Sequence, residues 1–110
     1  MEKVAVIQAL GALAQESRLG IFRLLVEVGP IGLPMGEIGK RLGLPHATLS
    51  FHLDKLRQAG LLLYRRQGRA VIYHANYQSL MDTIRYLSEN CCKESDMPCQ
   101  ITITEKKECC

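Results

Sequence analysis

The first 90 residues of this 110-residue chain contain no cysteine. All of the cysteines lie in the last twenty positions: Cys91, Cys92, Cys99, Cys109 and Cys110. An odd number of cysteines confined to one end is a poor disulfide framework and is more typical of a metal or redox cluster. We therefore expect an apolar core to hold the folded body together and the C-terminal end to carry the thiol chemistry.

The chain also lacks any apolar run approaching the ~20 residues that a membrane-spanning helix needs. Its apolar start does not resemble a secretion signal, because Glu2 stands where such signals are positively charged and Gln8 interrupts the run. One face of a helix is formed there instead by Val4, Ile7, Leu10 and Leu13. These features predict a cytoplasmic protein with reduced thiols and no membrane partner.

No nucleophile, base and orienting group converge in the sequence, so we expect no enzyme activity. The net charge is only +3, but its distribution is informative, since the end of the chain is acidic and the middle is basic. The basic cluster consists of Lys55, Arg57, Arg65, Arg66 and Arg69. Such a cluster predicts a polyanionic partner.

Apolar periodicity and capping residues predict a mainly α fold with one small β-hairpin, in a single compact domain. The predicted helices run from 4 to 14, from Ser17 to Gly29-Pro30, from Pro34 to Gly43, from Pro45 to Gly60, and from 77, after an Asn76 cap, to about 90. The predicted strands, 61–66 and 69–75, flank a turn at Gln67-Gly68. Two short helices joined by a tight turn and followed by a basic hairpin form a winged helix-turn-helix. We assign residues 1–90 to DNA binding and dimerisation and residues 91–110 to a cysteine-rich sensor tail.

In a winged helix the second helix of the motif enters the major groove, and the hairpin reaches the backbone or minor groove. Any one of these polar residues alone would be ordinary solvated surface, but the order of the elements favours binding to double-stranded DNA. We expect the helix to contact DNA through His46, Thr48, Ser50, His52 and Lys55, and the wing to do so through Arg65, Arg66 and Arg69. The wing arginines would supply mainly sequence-independent affinity.

From about Ala12 to Leu87 the sequence resembles the ArsR family of winged-helix repressors. The resemblance is carried by LAQESRL at 13–19, ATLSFHL at 47–53, Leu56 with Ala59-Gly60-Leu61, and RRQGR at 65–69 before Tyr73. It implies a homodimer formed through the first and last helices, bound to an inverted-repeat operator and released by an inducer.

The resemblance also indicates where an inducer does not bind. Many members hold it with a Cys-x-Val-Cys motif on the helix before the recognition helix, which here reads PMGEIGKRL and has no cysteine. A second family site binds zinc through carboxylates and histidines of the last helix, where this chain offers Asp82 and Glu89 while His74 precedes the helix. The C-terminal cysteines resemble the arrangement in arsenite repressors of the family whose site lies at the C-terminus.

Three thiolates, from Cys91, Cys92 and Cys99, suit trivalent arsenic or antimony, which forms a three-bond pyramid. Structural zinc needs four ligands and would have to recruit Cys109, Cys110 or a partner chain. Neighbouring side chains on an intact helix diverge by about 100°, so Cys91 and Cys92 can share one ion only where the helix frays or ends. Other thiophilic metal ions, thiol oxidation and a functionally silent Cys109-Cys110 pair remain alternatives.

Overall fold

The computed structural model describes residues 1–97, so the predictions for Cys99, Cys109 and Cys110 lie outside the described residues. Within that range the chain forms α1 (Lys3–Leu13), α2 (Glu16–Val28), β1 (Leu33–Pro34), α3 (Met35–Leu42), α4 (His46–Gln58), β2 (Leu62–Gln67), β3 (Ala70–Ala75) and α5 (Tyr77–Ser88). The predicted order of helices with one β-hairpin is confirmed. The division into domains at residue 90 stays a prediction.

The helix ends follow local chemistry with small corrections to the predicted bounds. The cap of α2 is Gln15 rather than Ser17, because the Gln15 side chain accepts a hydrogen bond of 2.8 Å from the Arg18 amide. Gly43 ends α3 in the left-handed conformation, as a glycine at this position commonly does. Asn76 caps α5 as predicted, but the helix ends at Ser88, two residues earlier than expected.

The strands form an antiparallel sheet in the order β1-β3-β2. Gln67 pairs with Ala70, so the hairpin turn is Gly68-Arg69 rather than the predicted Gln67-Gly68. Gly68 has a φ of 64°, which suits the first position of a two-residue hairpin turn. The strand β1 was not predicted, because a strand of two residues is too short to show alternation.

The core brings the two helices of the helix-turn-helix against α2 and the hairpin. Its largest fully buried side chains are Ile21, Leu25, Ile38, Leu49, Leu53, Leu56, Leu61 and Leu62. The three leucines from α4 recur every three or four residues, so one face of α4 packs inward and the other faces solvent. The core thereby sets the orientation in which α4 presents its outer face.

Two apolar helix faces remain uncovered in one protomer. In α1, Val6 and Ala9 are buried, whereas Val4 is 64% and Ile7 60% exposed. Leu87, near the end of α5, is 61% exposed, and α5 packs next to α1. None of the helices within residues 1–97 combines the length and the apolar character required to cross a membrane.

Candidate nucleic-acid interface and thiol pair

The outer face of α4 carries a continuous stripe formed by Thr48, Phe51 and Lys55, all of them exposed. These residues are three and four positions apart and therefore lie one above the other on the helix. The Lys55 ammonium lies 5.4 Å from the centroid of the Phe51 ring, within the range of a cation–π interaction. The stripe presents a hydroxyl, an aromatic face and a cation to whatever approaches α4.

Phe51 was not predicted to be a surface residue, although its spacing from Thr48 and Lys55 places it on the same face of α4. Its ring is 55% exposed, which is unusual for a large aromatic side chain in a small domain. His46, at the first position of α4, is also exposed as expected, while Ser50 is half-buried.

His52 does not face the DNA side of α4, and the prediction that it does is wrong. Its side chain is only 7% exposed, and its Nδ1 lies 3.4 Å from a guanidinium nitrogen of Arg18. Burial, and then the Arg18 charge, lower the pKa of His52 below its usual 6.5. The error came from following every second residue from His46 to His52, which is a strand period, whereas a helix turns by about 100° per residue.

The wing presents two of its three predicted arginines. Arg66 and Arg69 are exposed at and beside the hairpin turn. Arg65 instead donates hydrogen bonds to the carbonyl oxygens of Pro30, at 3.0 Å, and Ile31, at 2.6 Å. Arg65 therefore fastens the wing to the loop before β1, and its predicted role as a free DNA-contacting cation does not fit this position.

The wing is also tied to the C-terminal part of the recognition helix. The Arg57 guanidinium lies 5.9 Å from the centroid of the Tyr64 ring in β2 and 3.8 Å from the Asp54 carboxylate. Tyr64 in turn lies 6.2 Å from the Tyr73 ring of β3. These contacts hold the angle between α4 and the hairpin, so that both can approach one surface together.

The thiol pair, Cys91 and Cys92, follows α5 in a run of tight turns. Asn90 and Cys92 adopt left-handed backbone conformations with φ of 62° and 61°. The amide of Cys91 donates to the Ser88 carbonyl at 3.1 Å, where the helix has already ended. Both cysteines are exposed, and their Sγ atoms are 3.4 Å apart. The helix therefore ends before the two thiols, as the sequence requires if both are to reach one ion. The cysteines lie just past α5 and not, as predicted, at its end.

The described residues offer no complete alternative metal site. Across residues 1–97, no three histidine, cysteine or carboxylate side chains come together to hold an ion. The Asp82 carboxylate accepts a hydrogen bond of 2.8 Å from Gln78 and lies 3.5 Å from Arg85. His74 belongs to β3 and Glu89 follows α5, so the two are on different elements.

Comparison with known proteins places this arrangement among transcription regulators. A helix-turn-helix domain family matches residues 13–65. The chain is 43% identical over 67 residues to the arsenical resistance operon repressor of Escherichia coli (strain K12), across 61% of this chain and 56% of that protein. It therefore spans little more than half the length of that relative.

A second relative is matched over most of its length. The HTH-type transcriptional regulator NmtR of Mycobacterium tuberculosis (strain ATCC 25618 / H37Rv) is 34% identical over 88 residues, across 77% of this chain and 71% of NmtR. Among solved structures, an ArsR-like transcriptional regulator from Rhodococcus sp. RHA1 superposes with a TM-score of 0.72 over 83% of each chain. Its 24% identity supports the winged-helix fold alone.

Proposed function

This chain belongs to the ArsR family of winged helix-turn-helix transcriptional regulators, and we propose that it is a homodimeric repressor released from its operator by trivalent arsenic or antimony. The inducer would bind the thiolates of Cys91, Cys92 and Cys99. The observation that carries this proposal is the pair of exposed sulfur atoms 3.4 Å apart directly after α5.

The surface features of α4 and the wing support binding to double-stranded DNA. The stripe of Thr48, Phe51 and Lys55 lies on the helix that enters the major groove in winged-helix proteins. Arg66 and Arg69 project from the wing, where they would neutralise backbone phosphates. Specific contacts to bases would then come from α4 and sequence-independent affinity from the wing.

The uncovered faces of α1 and α5 support a two-fold dimer. Val4 and Ile7 lie on the outer face of α1, and Leu87 lies on the neighbouring α5. Exposed apolar side chains on adjacent helices form a surface that association with a second copy would remove from water. A two-fold dimer presents two recognition helices to an operator with matching half-sites.

The number of ligands favours a pyramidal centre over tetrahedral zinc. Cys91, Cys92 and Cys99 would provide the three thiolates that a trivalent metalloid takes, whereas structural zinc needs a fourth ligand. The 3.4 Å between the Sγ atoms of Cys91 and Cys92 is a thiol–thiol contact, and it supports the binding of one ion by both residues.

In this mechanism, binding of the ion draws Cys99 onto the thiol pair and reshapes the segment after α5. Because α5 packs against α1 at the proposed dimer surface, the change would alter the spacing of the two recognition helices. Recognition helices must match half-sites one DNA turn apart, so a small change lowers operator affinity. Near-complete switching requires the inducer to favour the DNA-free state by about 10⁴-fold.

The test is fluorescence anisotropy of the reduced protein on the inverted repeat upstream of its own gene, titrated with arsenite, antimonite, zinc and peroxide. We expect release by arsenite or antimonite only, and loss of that response in Cys91→Ser and Cys92→Ser. The Cys109→Ser/Cys110→Ser double variant is the matched control and should respond normally if three thiolates suffice.

The other outcomes distinguish the alternatives. Release by zinc alone would make the protein a sensor of another thiophilic ion, and release by peroxide alone would make it a thiol-oxidation sensor. Unimpaired release of Cys91→Ser by arsenite would rule out the proposed ligand set. No operator binding under any condition would overturn the repressor proposal itself.

A further inference from the structure

One side chain joins the proposed dimerisation helix to the recognition helix. Arg18 lies in the first turn of α2, and its Nε donates a hydrogen bond of 2.7 Å to the carbonyl oxygen of Ala12 in the last turn of α1. Its Nη1 lies 3.4 Å from Nδ1 of His52, in the middle of α4. Arg18 thus contacts two helices that are distant in sequence.

Both contacts fill a need of the helix they reach. The last carbonyls of a helix have no partner within it, and Arg18 supplies a donor to one of these on α1. On α4, the side chain of His52 is almost fully buried. A guanidinium has only donors, so Nδ1 of His52 must act as the acceptor, which requires a neutral imidazole protonated on Nε2.

Direct packing between α1 and α4 is incomplete on the solvent side of this contact. A cleft of about 350 Å³ separates Gln8 and Gly11 of α1 from Lys55 and Gln58 of α4, and Arg18 lines it. The two helices also pack directly through the core, and beside the cleft the guanidinium adds a polar bridge between them. A movement of α1 can therefore reach α4 through Arg18.

We propose that Arg18 and His52 are positioning residues for DNA binding, which transmit the position of α1 to the recognition helix. The proposal rests on the operator binding proposed above and adds the route by which the dimer surface controls α4. It assigns His52 a role inside the protein rather than at the DNA, and it makes the neutral state of its ring a requirement for the binding-competent arrangement.

Other charged groups on the elements around His52 are engaged elsewhere or act too weakly to appear among the causes of its shifted pKa, which are burial and Arg18. On α4, Lys55 lies over the Phe51 ring and Asp54 pairs with Arg57. On α2, Arg23 pairs with Glu27, and on α3, Glu37 pairs with Arg41. Glu16 of α2 and Lys40 of α3 are exposed. On β2, Arg65 is bound to the loop before β1. The one charged group on α1 is Lys3, at the opposite end of that helix from Ala12.

Protonation of His52 would place a second cation against the Arg18 guanidinium and break the bridge. Operator affinity should then fall as the pH is lowered. Added positive charge at the DNA surface has the opposite sign, because it strengthens binding to DNA. The difference between the wild type and a His52 variant therefore isolates the bridge, since every other titratable group is the same in both.

The experiment measures operator affinity by anisotropy from about pH 8 to about pH 5.5, the range in which histidines titrate. The proteins are the full-length wild type, His52→Gln, which keeps a neutral acceptor, and His74→Gln as the control for loss of a histidine. We expect the wild type and His74→Gln to lose severalfold more affinity than His52→Gln over this range. A difference of one unit between the pKa of His52 in the free and in the DNA-bound protein limits the ratio to about tenfold, which is reached only below both pKa values. Parallel profiles for all three proteins would overturn the proposal.

Arg18→Lys provides a second measurement should His52→Gln fail to fold. The ammonium keeps the charge but lacks the forked donors that reach Ala12 and His52 together. We expect at least tenfold weaker operator binding at about pH 7.5 with an unchanged dimer dissociation constant, and wild-type operator affinity would overturn the proposal. If the wild type itself binds no operator, the proposed function fails first, which separates that failure from the failure of the Arg18 bridge.

Discussion

Replacing Ile7 by glutamate tests the proposed dimer surface at a residue whose contribution to the free energy of dimerisation can be estimated. Ile7 is 60% exposed in the protomer and lies on the outer face of α1. Full burial of an isoleucine side chain contributes about 1.5–3 kcal/mol, so covering its exposed part contributes about 1–2 kcal/mol. A two-fold interface contains this residue twice, which doubles the figure to about 2–4 kcal/mol.

A reduction of this size weakens the dimer by about 30-fold to about 900-fold. Burying the two introduced carboxylates in the interface without partners costs additional free energy, so the 30-fold weakening is a minimum. We expect the Ile7→Glu dimer to dissociate at micromolar protein concentrations at which the wild type stays dimeric. Operator affinity should fall with it, because one recognition helix then has to bind alone.

Sedimentation velocity over a concentration series measures the dimer dissociation constant directly. Ile31→Glu is the matched control, because Ile31 is 71% exposed but lies in the loop between α2 and β1, away from α1 and α5. The control should dimerise like the wild type. Equal dimer affinity in Ile7→Glu and Ile31→Glu, or a wild type that stays monomeric, would refute the assignment of α1 to the interface.

Three further measurements test the wing, the sheet and the buried histidine. The Arg66→Ala/Arg69→Ala double variant should bind the operator more weakly. The slope of log affinity against log salt concentration should fall by about 0.9 for each phosphate that is no longer neutralised, and an unchanged slope would contradict the wing assignment. Gly32→Ala should lower the free energy of unfolding, measured in urea, by about 2 kcal/mol or more. Gly32 has a φ of 66°, and an added Cβ would overlap a carbonyl oxygen of β3. The helical control Gly36→Ala should not lower the free energy of unfolding, because nothing lies close to an added Cβ there. Since the folded-state pKa of His52 is lowered, its contribution to stability is present above the unfolded pKa of about 6.5 and is lost as the pH falls through the folded value. The urea midpoint of the wild type should therefore drop more on acidification than that of His52→Gln, and equal drops would count against this burial.

The features that could be predicted from the sequence are those determined by a few neighbouring residues. Gly43 ends α3 because glycine adopts the left-handed conformation readily, and Asn76 begins α5 because its side chain accepts from the Ser79 amide. Both signals act within a turn of their own position. They located the helix-turn-helix and the final helix to within about two residues, which is also the usual uncertainty of helix ends.

The features that could not be predicted depend on partners far along the chain. Arg65 looks like a free wing cation until its carbonyl partners, Pro30 and Ile31, are brought beside it from 35 and 34 residues away. The short strand β1 exists only because Leu33 pairs with Tyr73 of the later hairpin. No local pattern encodes either contact, since both follow from how α2 packs against the sheet.

The thiol pair has one feature that a neighbouring residue determines and one that depends on the packing of the whole domain. Asn90 tolerates the left-handed conformation, so the sequence contained a signal that α5 could end before Cys91. Cys91 and Cys92 follow shortly after Leu87 in the chain, and Leu87 belongs to the helix whose apolar face is uncovered. An ion bound at Cys91 and Cys92 would therefore act first on the proposed dimer surface and only then on DNA. The Arg18 bridge from α1 to His52 is a route by which that change can reach the recognition helix within each protomer.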